Sequence, residues 1–206
     1  MISEEYKLAF VHIPKCGGTS VEKLFTKEFI SNPHVPAFHY YTHNPDLYRF
    51  TMIRNTWDRL VSIYFYSIQK QFNMSFDDFI MRYIHHSGDM FSMGNDKYFF
   101  GKCGHLIFVV NHNNQKPLIN FYANLWNAKE HLTTLFNHLK MPLSILDNWE
   151  KHNPTIHEDY RSYYKNKTMI DAVANKYSKE INFFKFKFDD PCHFDKNLVG
   201  KHLDIF

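Results

Sequence analysis

Lys15 is followed by Cys16, two glycines and two hydroxyls, Gly17-Gly18-Thr19-Ser20, and it stands just past an apolar run over residues 7–13. Those residue types in that order equip a turn to hold an anion. The ammonium supplies charge, and the glycines let the backbone approach closely and adopt positive φ. Hydroxyls and outward N–H groups at a helix start complete a cradle for phosphate or sulfate. This is not a Walker A loop, in which the lysine follows the glycines. The plain alternative is a capped strand-to-helix turn with an incidental lysine. Pro14-Lys15 directly before Gly-Gly-Thr-Ser weighs against it. Cys16 at a helix start has the setting of a lowered thiol pKa, but no His or Asn stands beside it in sequence, and it reads as part of the loop rather than as a nucleophile.

A second turn repeats the design. Arg54 closes the run "YRFTMI" (48–53), and Ser62 follows eight residues later on the next helix, within reach of the same ligand. A guanidinium makes charge-assisted, often bidentate bonds to phosphate. Asp58 and Arg59 fall in that helix's first turn, where Asp58 either favours the helix dipole or pairs with Arg59.

Together, "PKCGGTS" (14–20) and "RNTWDRLVS" (54–62) resemble the sulfotransferases that use 3′-phosphoadenosine 5′-phosphosulfate (PAPS), especially the carbohydrate group with the heparan 2-O- and chondroitin-type enzymes. The resemblance implies that Lys15, Cys16, Gly17, Gly18, Thr19 and Ser20 form the loop that binds the 5′-phosphosulfate. It implies that Arg54 and Ser62 bind the 3′-phosphate. It extends to the closing segment from His152, where a Tyr-Tyr pair precedes a helix, and it is weakest over residues 70–125. Three positions depart from the family pattern. Thr56 stands where a proline is usual, "INFFKF" lacks a glycine, and "NFYANL" (120–125) replaces an acid-bearing segment.

Sulfuryl transfer, like phosphoryl transfer, is an in-line displacement with charge building on the leaving oxygen. The loop would be the cradle and Lys15 the cation that stabilises the leaving phosphate. A base must take the acceptor's proton. The resemblance places a histidine before the strand that leads to the 3′-phosphate site, and this sequence offers two, His39 and His43; spacing does not choose between them. Imidazole suits that task near neutral pH, and a carboxylate is the alternative. No ligand cluster calls for a metal. His85-His86 diverge by about 100° on a helix, and His12, alternating with apolar neighbours, reads as a satisfied core group. Trp57, Tyr40 and Tyr41 are candidates to stack on adenine or a sugar face, or else rim or core aromatics.

The elements that must position these groups alternate. "KLAFVHI" (7–13) reads as a strand buried on both faces. A helix follows from about Thr19 with Val21, Leu24, Phe25 and Phe29 on one face. Residues 48–53 read as a second strand, followed by a helix from about Trp57 with Leu60, Val61, Tyr64 and Ile68. "FDDFIMRYI" (76–84) reads as helix and "HLIFVV" (105–110) as a third strand. "AKEHLTTLFNHL" is helical with Leu132, Leu135, Phe136 and Leu139, and "TMIDAVANKYSKEINFF" is helical with Met169, Ile170, Val173, Tyr177 and Ile181. Alternation predicts an α/β, P-loop-like three-layer fold with a central parallel sheet, in which ligands bind at the carboxyl ends of strands.

The 206 residues are expected to form a single domain. A net charge of +3 admits an anionic ligand without the basic clustering of a nucleic-acid binder. Cys16, Cys103 and Cys192 form no CxxC pair, which fits reduced thiols. No apolar run reaches membrane-spanning length, and "MISEEYKLAF" has neither a basic n-region nor an apolar h-region. If Met1 is the native start, a cytosolic enzyme of bacterial or viral type is expected. The PAPS sulfotransferase reading yields adenosine 3′,5′-bisphosphate (PAP) and a sulfated hydroxyl. The acceptor would be a saccharide or glycoconjugate such as a nucleotide sugar or lipid-linked sugar, or a small metabolite. Two rivals are a nucleotide kinase or NTPase, against which the absent GxxxxGK[ST] counts, and a non-catalytic PAP-binding module.

Overall fold

Leu8–Val11 and Tyr48–Ile53 are apolar and β-branched or aromatic at most positions, and they pair in parallel with Leu8 opposite Tyr48 and Val11 opposite Thr51. The computed structural model describes residues 1–25, 34–81, 104–111, 113–150 and 156–205. In chain order the elements are β1 (Ile2–Ser3), β2 (Leu8–Val11), α1 (Gly18–Leu24), α2 (Ala37–His43), β3 (Tyr48–Ile53), α3 (Thr56–Ile63), α4 (Gln69–Phe72), α5 (Phe76–Asp78), α6 (Leu106–Val109), β4 (Phe121–Asn124), α7 (Ala128–His138), α8 (Lys167–Lys176) and α9 (Ser178–Phe184). They fall into two units. The first is Met1–Arg54, His105–Asn153 and Phe194–Phe206; the second is Asn55–Gly104 and Pro154–His193.

The first unit holds the sheet, in the order β1-β2-β3-β4. β2, β3 and β4 are parallel and β1 is antiparallel, so the sheet is mixed rather than parallel throughout. The third parallel strand is also not the expected one. Residues 106–109 of "HLIFVV" turn into α6, with only Val110 extended and bridged to Pro117. β4 comes instead from "FYAN", whose four residues are all buried. A short apolar run suits a buried strand and a buried helical turn equally, so periodicity could not separate the two.

Alternation along the strands sends Phe10, His12, Phe50 and Met52 to one face, where α1 and α7 lie and Phe25 meets Phe136 at 6.0 Å between ring centres. The other face carries Arg49, whose guanidinium lies 5.7 Å from the Tyr41 ring of α2. Arg49 is buried and bonds the carbonyls of Leu118, Leu47 and Pro45 at 2.9, 2.9 and 3.0 Å, fixing the turn that starts β3. Helices thus flank the sheet on both faces. The core between them includes Phe10 and Phe50, whose rings are 4.9 Å apart. Two isolated bridges, Phe121 with His202 and Tyr122 with Val199, lay the closing segment along β4.

The second unit is helical. α3 begins one residue earlier than expected, capped by Asn55, whose side-chain oxygen accepts the Trp57 N–H at 3.1 Å. All eight α3 residues are buried, and a π-helical stretch (Tyr64–Ile68) follows, so Tyr64 and Ile68 keep their expected burial. Thr56 uses its hydroxyl to bond buried Glu180 at 2.7 Å. Tyr164 of the Tyr-Tyr pair is buried and donates to the Trp57 carbonyl at 3.0 Å. The closing helix is two helices, because Tyr177 leaves helical geometry at φ −104°, ψ 23° between α8 and α9. No helix among the described residues is long and apolar enough to cross a membrane.

Candidate anion site

Three strand ends supply the first unit's site. Pro14 and Lys15 follow β2, Arg54 follows β3 and Leu125 follows β4, and the three strands are adjacent and parallel. All three segments therefore lie at the carboxyl edge, where such sheets place ligands. Gly17 caps α1 in the left-handed region at φ 82°, and a Cβ there would lie 2.5 Å from Leu125 Cδ1. A Cβ on Gly18 would lie 2.0 Å from the His12 ring. The two glycines are thus required by two different neighbours. Lys15 itself sits at φ 64°, a conformation that costs a side-chain-bearing residue roughly 1–2 kcal/mol and is typically retained where function demands it.

Lys15 and Arg54 meet. Arg54 Nη1 donates to the Lys15 carbonyl at 3.3 Å. Burial first, and then the like charge of Arg54, pull the Lys15 pKa down to about 8, against a smaller opposing effect of Cys16. Two cations drawn together in a partly buried corner repel, and an anion between them reverses the sign of that energy. In the turn, the N–H groups of Cys16 and Ser20 bond the carbonyls of Ile13 and Gly17 at 3.3 and 3.1 Å. Gly18 and Thr19 open α1 after the Gly17 cap, with Thr19 half-buried and Ser20 buried.

Beneath the turn, His12 Nδ1 and Glu22 Oε1 are 2.9 Å apart, tying β2 to the second turn of α1. The His12 ring also stacks on Phe10 at 5.7 Å and packs 4.3 Å from His34. His12 is thus the satisfied core group its spacing suggested. Its hydrogen bond holds the Glu22 carboxyl below the usual 4.5, so Glu22 adds stability above that pH and loses it as acid titrates the folded carboxylate. Urea unfolding between about pH 3 and 6 should show a steeper acid loss in the native chain than in Glu22→Gln; equal slopes would remove the tie.

The other expected site residues are distributed as follows. His39 and His43 are exposed on α2, their rings stacked at 4.4 Å, and His43 Nδ1–H donates to the His39 carbonyl at 2.9 Å. α2 runs between His34, whose Nδ1–H donates to the His12 carbonyl at 3.0 Å just past β2, and the start of β3. Ser62 is buried on α3 in the second unit. Trp57 and Tyr40 are buried, whereas Tyr41 is exposed on α2 with the Arg49 guanidinium 5.7 Å from its ring. Phe29, Cys103 and the pair His85-His86 lie outside the described residues.

Comparison with protein-family models, characterised proteins and solved structures returned no match. The chemistry therefore rests on the geometry itself. Sequence reasoning missed His105, which is fully buried with Nε2 3.5 Å from Cys16 Sγ and 3.4 Å from the Arg54 backbone N. It also missed Leu125 as the wall against Gly17. No local pattern marks either residue, because both contacts depend on strand ends meeting in space. Among the described residues no group of three or more His, Cys, Asp or Glu is arranged to hold a metal.

Proposed function

We propose that this chain is a PAPS-dependent sulfotransferase with a P-loop-like cradle, moving a sulfuryl group to a hydroxyl acceptor, most simply a saccharide. One observation carries the reading: Lys15 and Arg54, at the carboxyl ends of adjacent parallel strands, converge on a turn whose two glycines leave no room for side chains. A donor with phosphate at two positions would match two neighbouring cations. In this reading the 5′-phosphosulfate lies over Gly17–Thr19, with the Lys15 ammonium against the leaving oxygen, and Arg54 takes a second phosphate group. The acceptor's proton passes to a base. His39 and His43 are retained for that role on their chemistry alone. Single alanine variants test it, since loss of a general base costs on the order of 10²–10⁴ in rate and leaves donor affinity unchanged.

The decisive experiment is ³⁵S transfer from labelled PAPS to a panel of glycans and small hydroxyl compounds, alongside calorimetry with PAP. Uptake of PAP with transfer to at least one acceptor is expected. Uptake without transfer over a broad panel would leave a binding module. ATP turnover with strict Mg²⁺ dependence and no PAP uptake would favour a kinase or NTPase.

A further inference from the structure

We propose that His105 is a positioning residue, a neutral tie that fastens the lysine turn to the arginine-bearing strand end and so sets the spacing of the two cations. The inference rests on the anion-site reading above. Its geometry lies wholly within the first unit.

The backbone N–H of Arg54 has only one role in a hydrogen bond, as a donor. At 3.4 Å from Arg54 N, His105 Nε2 must therefore carry its lone pair outward, which places the ring proton on Nδ1 and leaves the imidazole uncharged. The thiol of Cys16, 3.5 Å away, donates to the same lone pair. One nitrogen thus receives from the turn after β2 and from the end of β3, while Arg54 Nη1 closes the loop by bonding the Lys15 carbonyl at 3.3 Å. His105 is fully buried, and so is Cys16.

Electrostatics explain why a neutral acceptor serves here. Burial and, after it, the like charge of Arg54 already lower the Lys15 pKa to about 8. A cationic tie would add a third positive charge to the corner, and a carboxylate would neutralise the field meant for the ligand. A neutral imidazole joins the corners and leaves their charge intact. It also gives Cys16 a place: the thiol is a donor in the tie, neither a nucleophile nor a mere filler.

The test compares His105→Ala with His105→Gln, whose amide oxygen reaches about as far as Nε2 and can accept the same bonds. Two readouts are taken on the full chain at neutral pH: PAP affinity by calorimetry, and the rate at which N-ethylmaleimide labels the peptide bearing Cys16, followed by mass spectrometry. His105→Ala should weaken PAP binding about tenfold or more and speed Cys16 labelling by a similar factor, and His105→Gln should recover most of both. If His105→Ala does not fold, His105→Asn, whose oxygen falls short of the Nε2 position, replaces it. The proposal is overturned if the alanine (or asparagine) variant, folded by near-ultraviolet circular dichroism, stays within twofold of the native chain in both readouts. It is equally overturned if His105→Gln behaves like His105→Ala, since the ring would then be packing alone. Should the native chain take up no PAP, the sulfotransferase reading fails, and the labelling contrast still decides the tie.

Discussion

Lys15→Ala should lose at least a hundredfold in transfer rate over affinity, kcat/KM, and most of its PAP affinity. Removing one preorganised electrostatic contact to developing charge typically costs about 3–4 kcal/mol. The Lys15 environment adds a signature that a generic surface lysine would lack. Its pKa is held at about 8 by burial and by Arg54, so the ammonium begins to discharge just above neutrality. PAP affinity of the native chain should therefore fall as pH rises from about 7 to about 9, and binding should take up protons over that range, because an anion raises the pKa it meets. Calorimetry in buffers of different ionisation enthalpy measures both. Lys15→Ala should abolish the proton uptake. Arg54→Met should lower affinity and also move the fall to higher pH, since the like charge that depresses Lys15 is gone. A flat affinity across that window in the native chain would show that Lys15 does not face the ligand. Lys15→Gly offers a contrast: relief of the left-handed backbone should make it about 1 kcal/mol more stable than Lys15→Ala, while both variants remain inactive.

Gly18→Ala should be among the most destabilising single-methyl additions in the first unit. The added Cβ would lie 2.0 Å from the His12 ring, far inside contact distance. The ring has no easy escape, being bonded to Glu22 at 2.9 Å, stacked on Phe10 and packed against the tilted ring of His34. Overpacking of this kind costs about 1–3 kcal/mol, and displacing the ring would add about 1 kcal/mol for the broken hydrogen bond. Urea unfolding measures the loss. Combining it with His12→Ala identifies the cause: removing the ring removes the clash, so the double variant should be less destabilised than the sum of the singles by more than about 1 kcal/mol. Strict additivity would mean that Gly18 is needed for something other than the space His12 fills.

The sequence made some of this visible, for physical reasons. β3 was readable to the residue because an apolar run ended at a charged residue. The lysine turn was readable because Pro14-Lys15 stands directly before Gly-Gly-Thr-Ser at the end of an apolar run. The distribution of the remaining parts was hidden. Residues 106–109 have the composition of a buried strand, yet they coil into α6, and "FYAN" took the place in the sheet. Four-residue apolar runs carry too little periodicity to decide between those outcomes. Tyr177 is compatible with helix in isolation, and only the structure shows that it separates α8 from α9. The meeting of Cys16 with His105 spans a sequence separation of 89, and no local signal encodes a pairing of that range. His39 and His43 were chosen for their chemistry, and α2 carries both on the surface.

Among the described residues the sheet's two borders are covered by short segments. On one side Met1, Ile2 and Ser3 lie along β2; on the other, the bridges of Val199 and His202 and the Gly200 N–H on the Tyr122 carbonyl lie along β4. Both strands beneath are wholly buried, and an uncovered apolar strand offers unsatisfied backbone groups to any neighbouring molecule. Trimming either tail would therefore harm the protein less by loosening its interior than by turning it into a template for self-association. A preparation shortened by a few residues at one end should form light-scattering oligomers while its anion turn is still intact.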